Sequence, residues 1–529
     1  MPCEKDVERL KNTYFASALA SQNPIICLEN FKNSPIICLD FSIFRQIICL
    51  ENLILHYLCT ENQSDMTMYY NRMIDQYLAE WAESDSRKPL LLRGARQVGK
   101  STAVRHLGAK FKNFVEINLE RDRRLQEVFL ADLDVRRIVA ELSAMAGQPI
   151  TPGETLLFID EIQMCPEAVM SLRFFKEDMP ALHVVAAGSL LEFALQDLPT
   201  FGVGRIHSMF MYPMTFDEFL TANGEQRLME ARNEASAAAP LPAPLHEKIV
   251  SLYRTYLLVG GMPEAVGKWV ETHDYLKCQE VLDDIVLTYE DDFPKYKKRV
   301  DPMLLRATLR SAAEQAASKF VYSAVGGGYK THQVKAALEL LTLAGILVPV
   351  THTAANGIPL GSEADRTCRK MLLLDSGMLL RLLNMSTGDI TPLVSQILTS
   401  SPAELVNKGP LAEMVAGLEL LRYQTPNLRH DLYYWQRAAK NSMAEIDYLT
   451  SHQQRVLPIE VKAGTQGGMK SLWMFMREKK LALAVRSSLE NFGAFDYADP
   501  QAEGTTRHVV VCPLYAISQL PRLIKSALR

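Results

Sequence analysis

The chain has 529 residues, 48% apolar and 22% charged, which suits an ordinary globular protein but is too long for one hydrophobic core, so three or more folded units are expected. Its 57 basic residues against 61 acidic ones leave a net charge of −4, which gives no case for nucleic-acid binding by bulk charge and leaves that role to a local patch. The nine cysteines include no CxxC pair, so neither a zinc site nor a disulfide framework is supported and a reducing cytoplasm is expected; no apolar run reads as a membrane span, and the polar start at Glu4, Lys5 and Asp6 does not read as a signal peptide.

In chain order, the first feature is a repeat. "PIICLENFKNS", "PIICLDFSIFR" and "QIICLENLILH" follow at a step of 11 residues, with Ile-Ile-Cys-Leu recurring at Ile25, Ile36 and Ile47. Stacked structural repeats run longer and carry turn chemistry. An 11-residue period also suits a right-handed coiled coil, but helix formers and charged flanks are few. Residues 1–65 are therefore read as a translated tandem repeat upstream of a start at Met66 or Met68, with no fold or function of their own.

Next comes "PLLLRGARQVGKSTAVRHLG", from Pro89 to Gly108. A buried-strand run ends at Gly94 and a helix opens at Lys100, and Gly94, Gly99, Lys100 and Ser101 satisfy G-x-x-x-x-G-K-[ST]. In such a loop the glycines let backbone N–H groups curl around phosphates. Lys100 reaches the outer phosphate oxygens, Ser101 offers a hydroxyl to Mg²⁺, and the helix turns its positive end to the anion. Ala95, Arg96, Gln97, Val98 and Thr102 complete the candidate ATP-binding loop. "ETLLFIDEIQ" then sets Asp160 and Glu161 at the carboxyl end of an apolar strand, where ligands sit in an open parallel sheet. Asp160 is the candidate for holding Mg²⁺ and Glu161 for polarising the attacking water. A third strand, "LHVVAAGS", ends in Ser189, placed to sense a terminal phosphate, and Arg205 is a candidate charge-stabilising arginine.

"LLLRGARQVGKST", "LLFIDEIQ", "AAGSLLEF", "GVGRIHSMFMYPMTFDEFL" and "YLLVGGMPEAV" together resemble a prokaryotic family of AAA-type ATPases with a C-terminal domain of unknown function. The resemblance runs from Met68 to the end. It implies an α/β P-loop NTPase of the ASCE branch, with an additional strand between the two Walker elements that "NFVEINLE" (Asn113–Glu120) is expected to supply. ATP and Mg²⁺ are the implied ligands.

Residues 66–225 are read as the ATPase core and residues 226–300 as a linker and helical lid. Within the latter, Ala/Pro-rich Glu230–Glu247 reads as flexible and Gly260-Gly261-x-Pro263 as a turn between helices. Residues 301–385 read as winged-helix-like, with "RKMLLLD" (Arg369–Asp375) as the returning wing strand; such modules serve DNA or protein contacts equally well. The basic cluster "PKYKKRV" (Pro294–Val300) is as readily a solvated face as a DNA contact.

In residues 386–529, "DLYYWQR", "AEIDYLT" and "VLPIEVKA" read as a meander with a polar turn at "SHQQR". Glu460 and Lys462 share one face of the third strand, and Asp447 lies on its neighbour. Acids that hold a metal beside a lysine that orients water are what metal-dependent phosphodiester hydrolysis requires. The spacing D-x₁₂-E-x-K resembles the core of restriction-endonuclease-like nucleases, with Ile446 where their motif has proline, and Glu413 matches a helix acid of that fold. Two functions stay open. One is an ATPase that binds or cuts DNA; the other is a nucleotide-dependent switch or scaffold with a silent C-terminal domain, whose partner is a protein or a second copy of the chain. No membrane partner is expected.

Overall fold

A computed structural model describes residues 25–28, 37–40, 69–189, 191–192, 195, 204–296, 299–383, 409–439, 442–463, 468–501 and 505–527. Two units separate by contact, Met1–Tyr69 and Tyr70–Arg529. In the first, strands β1 (Ile25–Leu28) and β2 (Ile37–Asp40), drawn from two copies of the repeat, pair antiparallel with Cys27 opposite Cys38.

The second unit opens with a parallel sheet of five strands: β3 (Leu90–Arg93), β4 (Asn113–Asn118), β5 (Thr155–Asp160), β6 (His183–Ala187) and β7 (His207–Phe210), in the order β4-β5-β6-β3-β7. Central strands β5 and β6 are buried at every residue, while β4 and β7 at the edges are buried only in part. Helices cover both faces of such a sheet, so its inner strands read as unbroken apolar runs rather than as alternating ones. "NFVEINLE" falls between the Walker elements in sequence, but its strand β4 lies at the sheet edge. The strand inserted beside the loop-bearing β3 is β6, from "LHVVAAGS". Chain order alone does not reveal that crossover.

Downstream, the Ala/Pro-rich stretch is not a free tether. Helix Gln226–Glu234 and helix Ala243–Val259 flank it, and Leu241 is buried and hydrogen-bonded in both directions to Asn491. Helices Pro302–Glu314 and Thr331–Leu343 precede the hairpin of β8 (Leu347–Thr353) and β9 (Ala364–Leu373), so the returning strand starts earlier than Arg369. That hairpin is not a separate wing. β8 pairs in parallel with β10 (Leu432–Ala439), which joins it to β11 (Ser442–His452), β12 (Arg455–Val461), β13 (Leu483–Ser488), β14 (Gly493–Ala498) and β15 (Thr506–Pro513) in one mixed eight-stranded sheet. The meander β10–β11–β12 forms as the alternation predicts, and its turn narrows to Gln453-Gln454, both at positive φ, between the paired His452 and Arg455. Helix Gly409–Arg422 packs against β9 and β12, and Gly417 admits the Tyr448 hydroxyl where a Cβ would stand 2.3 Å from it.

Candidate functional site

The phosphate loop is built by backbone geometry that only some residues permit. Gly94 has φ +149°, and a Cβ there would stand 2.2 Å from the carbonyl oxygen of Met211; Gly99, at φ +95°, starts the helix Lys100–Gly108. The Lys100 ammonium is buried and donates to the carbonyls of Gly94 (2.9 Å) and Ala95 (2.7 Å) rather than to an acid. Burial, aided by the charge of Arg96 and opposed by Glu161 and Asp160, brings its pKa down to about 8. An ammonium folded back onto loop carbonyls is a cation awaiting an anion, and the residues fit a polyphosphate.

Opposite it, Ser101 Oγ donates to Asp160 Oδ2 at 3.1 Å, and Asn118 Nδ2 approaches the same oxygen at 3.4 Å. Burial and the neighbouring Glu161 raise the Asp160 pKa. The Ser101 hydroxyl and the Asp160 carboxylate are hard oxygen donors that suit Mg²⁺. Glu161 is held in the left-handed region (φ +51°), a conformation that costs energy and gathers at functional sites. Its carboxylate is fixed by Gln163 Nε2 and approached by Ser189 Oγ at 3.5 Å. Ser189 accepts in turn from Arg96 Nε at 3.1 Å. Lys100, Ser101, Asp160, Glu161 and Ser189 thus come together around the loop. Arg205 does not join them. Its partner is Glu177 on helix Pro166–Asp178, and its side chain is half exposed.

Three supports of the loop were not read from sequence. Arg72, nearly buried, donates to Val98 O (2.9 Å), to Tyr212 O (2.7 Å) and to Glu218 Oε1 (3.0 Å). Glu218 closes a capping box with Thr215 at the start of helix Phe216–Ala222. Tyr289 donates to Arg96 O at 2.7 Å, and Asp292 forms an ion pair with Arg96 at 2.7 Å, both from helix Tyr275–Asp292. An open cleft beside the loop is lined by Gly94, Ala95, Ser189, Gly345 and, from the segment before β10, Arg429 and His430.

The C-terminal acids also converge. Val461 N donates to Asp447 Oδ2 at 2.7 Å, Lys462, the first residue after β12, pairs with Glu460 of that strand, and Glu413 faces them from its helix. Burial first, and then the charge of Asp447, hold Glu413 and Glu460 above the ordinary carboxylate range, while Asp447 is raised by burial against the opposing charges of Lys370 and Lys462. Sequence reasoning missed Glu445, two residues from Asp447 and on the same strand face, and Lys370 of β9, which pairs with both Glu413 and Glu445. The i, i+2 alternation could have flagged Glu445. No local pattern marks Lys370.

Comparison with known proteins agrees for the first sheet. Residues 86–220 match the family model described as an AAA domain. Residues 250–389 and 408–515 match two families described only as domains of unknown function, DUF8612 and DUF4143. A search of curated proteins gave no match. Among solved structures, the chain is similar to a Walker-type ATPase of Pyrococcus abyssi at 18% identity, over 59% of this chain and 96% of that one, with a TM-score of 0.40. The first sheet with its loop thus matches an AAA domain. No helix among the described residues is long and apolar enough to cross a membrane.

Proposed function

We propose that the chain is an ATP-hydrolysing switch whose nucleotide state is passed from the loop to the C-terminal sheet. Lys100 and the loop amides hold the phosphates, Ser101 and Asp160 hold Mg²⁺, and Glu161 takes the proton of the attacking water. Bound Mg²⁺ supplies charge neutralisation on the transferred phosphoryl group. Ser189, hydrogen-bonded between Arg96 and Glu161, responds to whether that group is present.

The observation that carries the switch reading is a series of polar contacts joined through the helices that bear them. Arg96 is tied to Asp292 and Tyr289, and Asp283 on the same helix pairs with Arg381 at 2.6 Å, on helix Ser376–Leu382. Asp375 caps that helix and accepts from Gly261 N at 2.6 Å. Arg422, on the helix that carries Glu413, donates to Leu374 O, Met214 O and the Tyr256 hydroxyl at 2.7, 3.1 and 2.7 Å, while Glu419 accepts from Phe216 N at 3.2 Å. Packed side chains and hydrogen-bond networks of this kind can carry coupling between sites.

A second reading, Mg²⁺-dependent cleavage of DNA, draws support from the convergence of Asp447, Glu460 and Lys462. Two measurements separate them. Hydrogen exchange on Glu161→Gln, with and without ATP, is expected to change protection in 375–382 and 409–422; changes confined to 90–220 would refute the switch. Plasmid is expected to stay intact with Mg²⁺ or Mn²⁺; cleavage lost in Lys462→Ala would establish the nuclease instead.

A further inference from the structure

Glu413, Glu445 and Asp447 offer carboxylate oxygens that all lie within 4.8 Å of one another. Hard divalent cations take such oxygens as ligands, and the likeness to restriction-endonuclease-like nucleases implies a metal held by Asp447 and Glu460 beside Glu413. The residues present do not fit it. The space between the acids is taken by the ammonium of Lys370, whose Nζ lies 2.6 Å from Glu413 Oε1, pairs with Glu445 as well, and faces the Tyr434 ring 5.1 Å from its centre. Two acids and an aromatic face surround this fully buried amine. A metal ion drawn into the same few ångströms would meet the ammonium's positive charge in a place screened from water.

The remaining acid of the pattern is turned elsewhere. Glu460 gives one oxygen to Lys462, and its Oε2 is buried without a hydrogen-bond partner among the described residues. Lys370 also comes from outside the D-x₁₂-E-x-K segment. It stands 43 residues before Glu413, on the edge strand of the hairpin that the eight-stranded sheet absorbs.

We propose that Lys370 is the resident cation of this cluster, taking the place a divalent metal holds in a metal-dependent hydrolase. The acids clamp the hairpin strand instead of a metal, and a metal site appears only where the amine is taken away. This deepens the reading of a catalytically silent C-terminal domain. Its test reads metal binding, so a failure of ATP turnover would leave it standing.

The test is Mn²⁺ binding, followed by electron paramagnetic resonance and calorimetry, on the full chain without nucleotide. Asp160→Asn is the background throughout, to silence the loop site. With Lys370 intact no Mn²⁺ is expected in the cluster. Lys370→Met is expected to take up one Mn²⁺ per chain, and adding Asp447→Asn to abolish it. Lys370→Arg keeps the charge and is expected to bind none. The proposal is overturned if the Lys370 protein binds Mn²⁺ in a manner lost on Asp447→Asn, or if folded Lys370→Met binds none. Should Lys370→Met not fold, the first of these still decides.

Discussion

Arg72→Ala removes a side chain that reaches from behind the phosphate loop to the strand–helix corner that follows β7. Its guanidinium makes three bonds, to Val98 O, Tyr212 O and Glu218. Removing one partner of a buried ion pair costs about 3–5 kcal/mol, because the other charge is left uncompensated. Glu218 keeps two backbone donors, Met73 N at 2.6 Å and Thr215 N at 2.7 Å, which places the loss at the lower end, about 3 kcal/mol. Because Val98 lies inside the loop, ATP affinity falls together with stability. The assay is urea denaturation followed through the AAA domain by hydrogen exchange, with ATP binding measured by calorimetry. Arg72→Lys keeps the charge but cannot span all three acceptors, and falls between. A variant within about 1 kcal/mol of wild type that binds ATP normally would refute this account of the loop.

Further outcomes follow from single groups. Lys100 sits at about 8 and must be charged to hold phosphate, so ATP affinity should fall as pH rises through about 8, approaching tenfold per unit. Without nucleotide the sign reverses: between about 8 and 10.5 the unfolded chain holds a proton on this lysine that the folded chain has released, so stability rises with pH, and Lys100→Met abolishes both slopes. Gly94→Ala would set a Cβ 2.2 Å from Met211 O at φ +149°, and calorimetry should find nucleotide binding lost. Burial holds Glu419 up at about 7 against an ordinary 4.5, so the folded state keeps a proton through that window and stability falls as pH rises across it; Glu419→Gln should flatten that part of a melting-temperature profile. Replacing Gln453-Gln454, both in the left-handed region, by Asn-Gly should raise the urea midpoint of the C-terminal transition by the equivalent of about 1 kcal/mol.

The loop, the Asp160-Glu161 pair and the three-strand meander were legible because each is a local pattern, a spacing or an alternation that fixes its own geometry. What supports them was not. Arg72 meets Glu218 across 146 residues, and Lys370 meets Glu413 across 43, and nothing in either neighbourhood announces the partner. The same limit applies to strand order. That β6 rather than β4 lies beside β3, and that β8 pairs with β10 so that an expected wing joins the C-terminal sheet, depends on crossovers between strands far apart in the chain, which no local pattern specifies. Arg205 was singled out by its place between strands, and pairing with Glu177 took it elsewhere.

The most direct test is steady-state ATP turnover by the full chain with Mg²⁺, with ATP binding measured in parallel, for wild type, Lys100→Ala and Glu161→Gln. Wild type should hydrolyse ATP and Lys100→Ala should neither bind nor hydrolyse it. Glu161→Gln should bind as wild type does and turn over about 10²–10⁴-fold more slowly. Turnover that survives Lys100→Ala, or a wild type that binds ATP and never hydrolyses it, would contradict the site described.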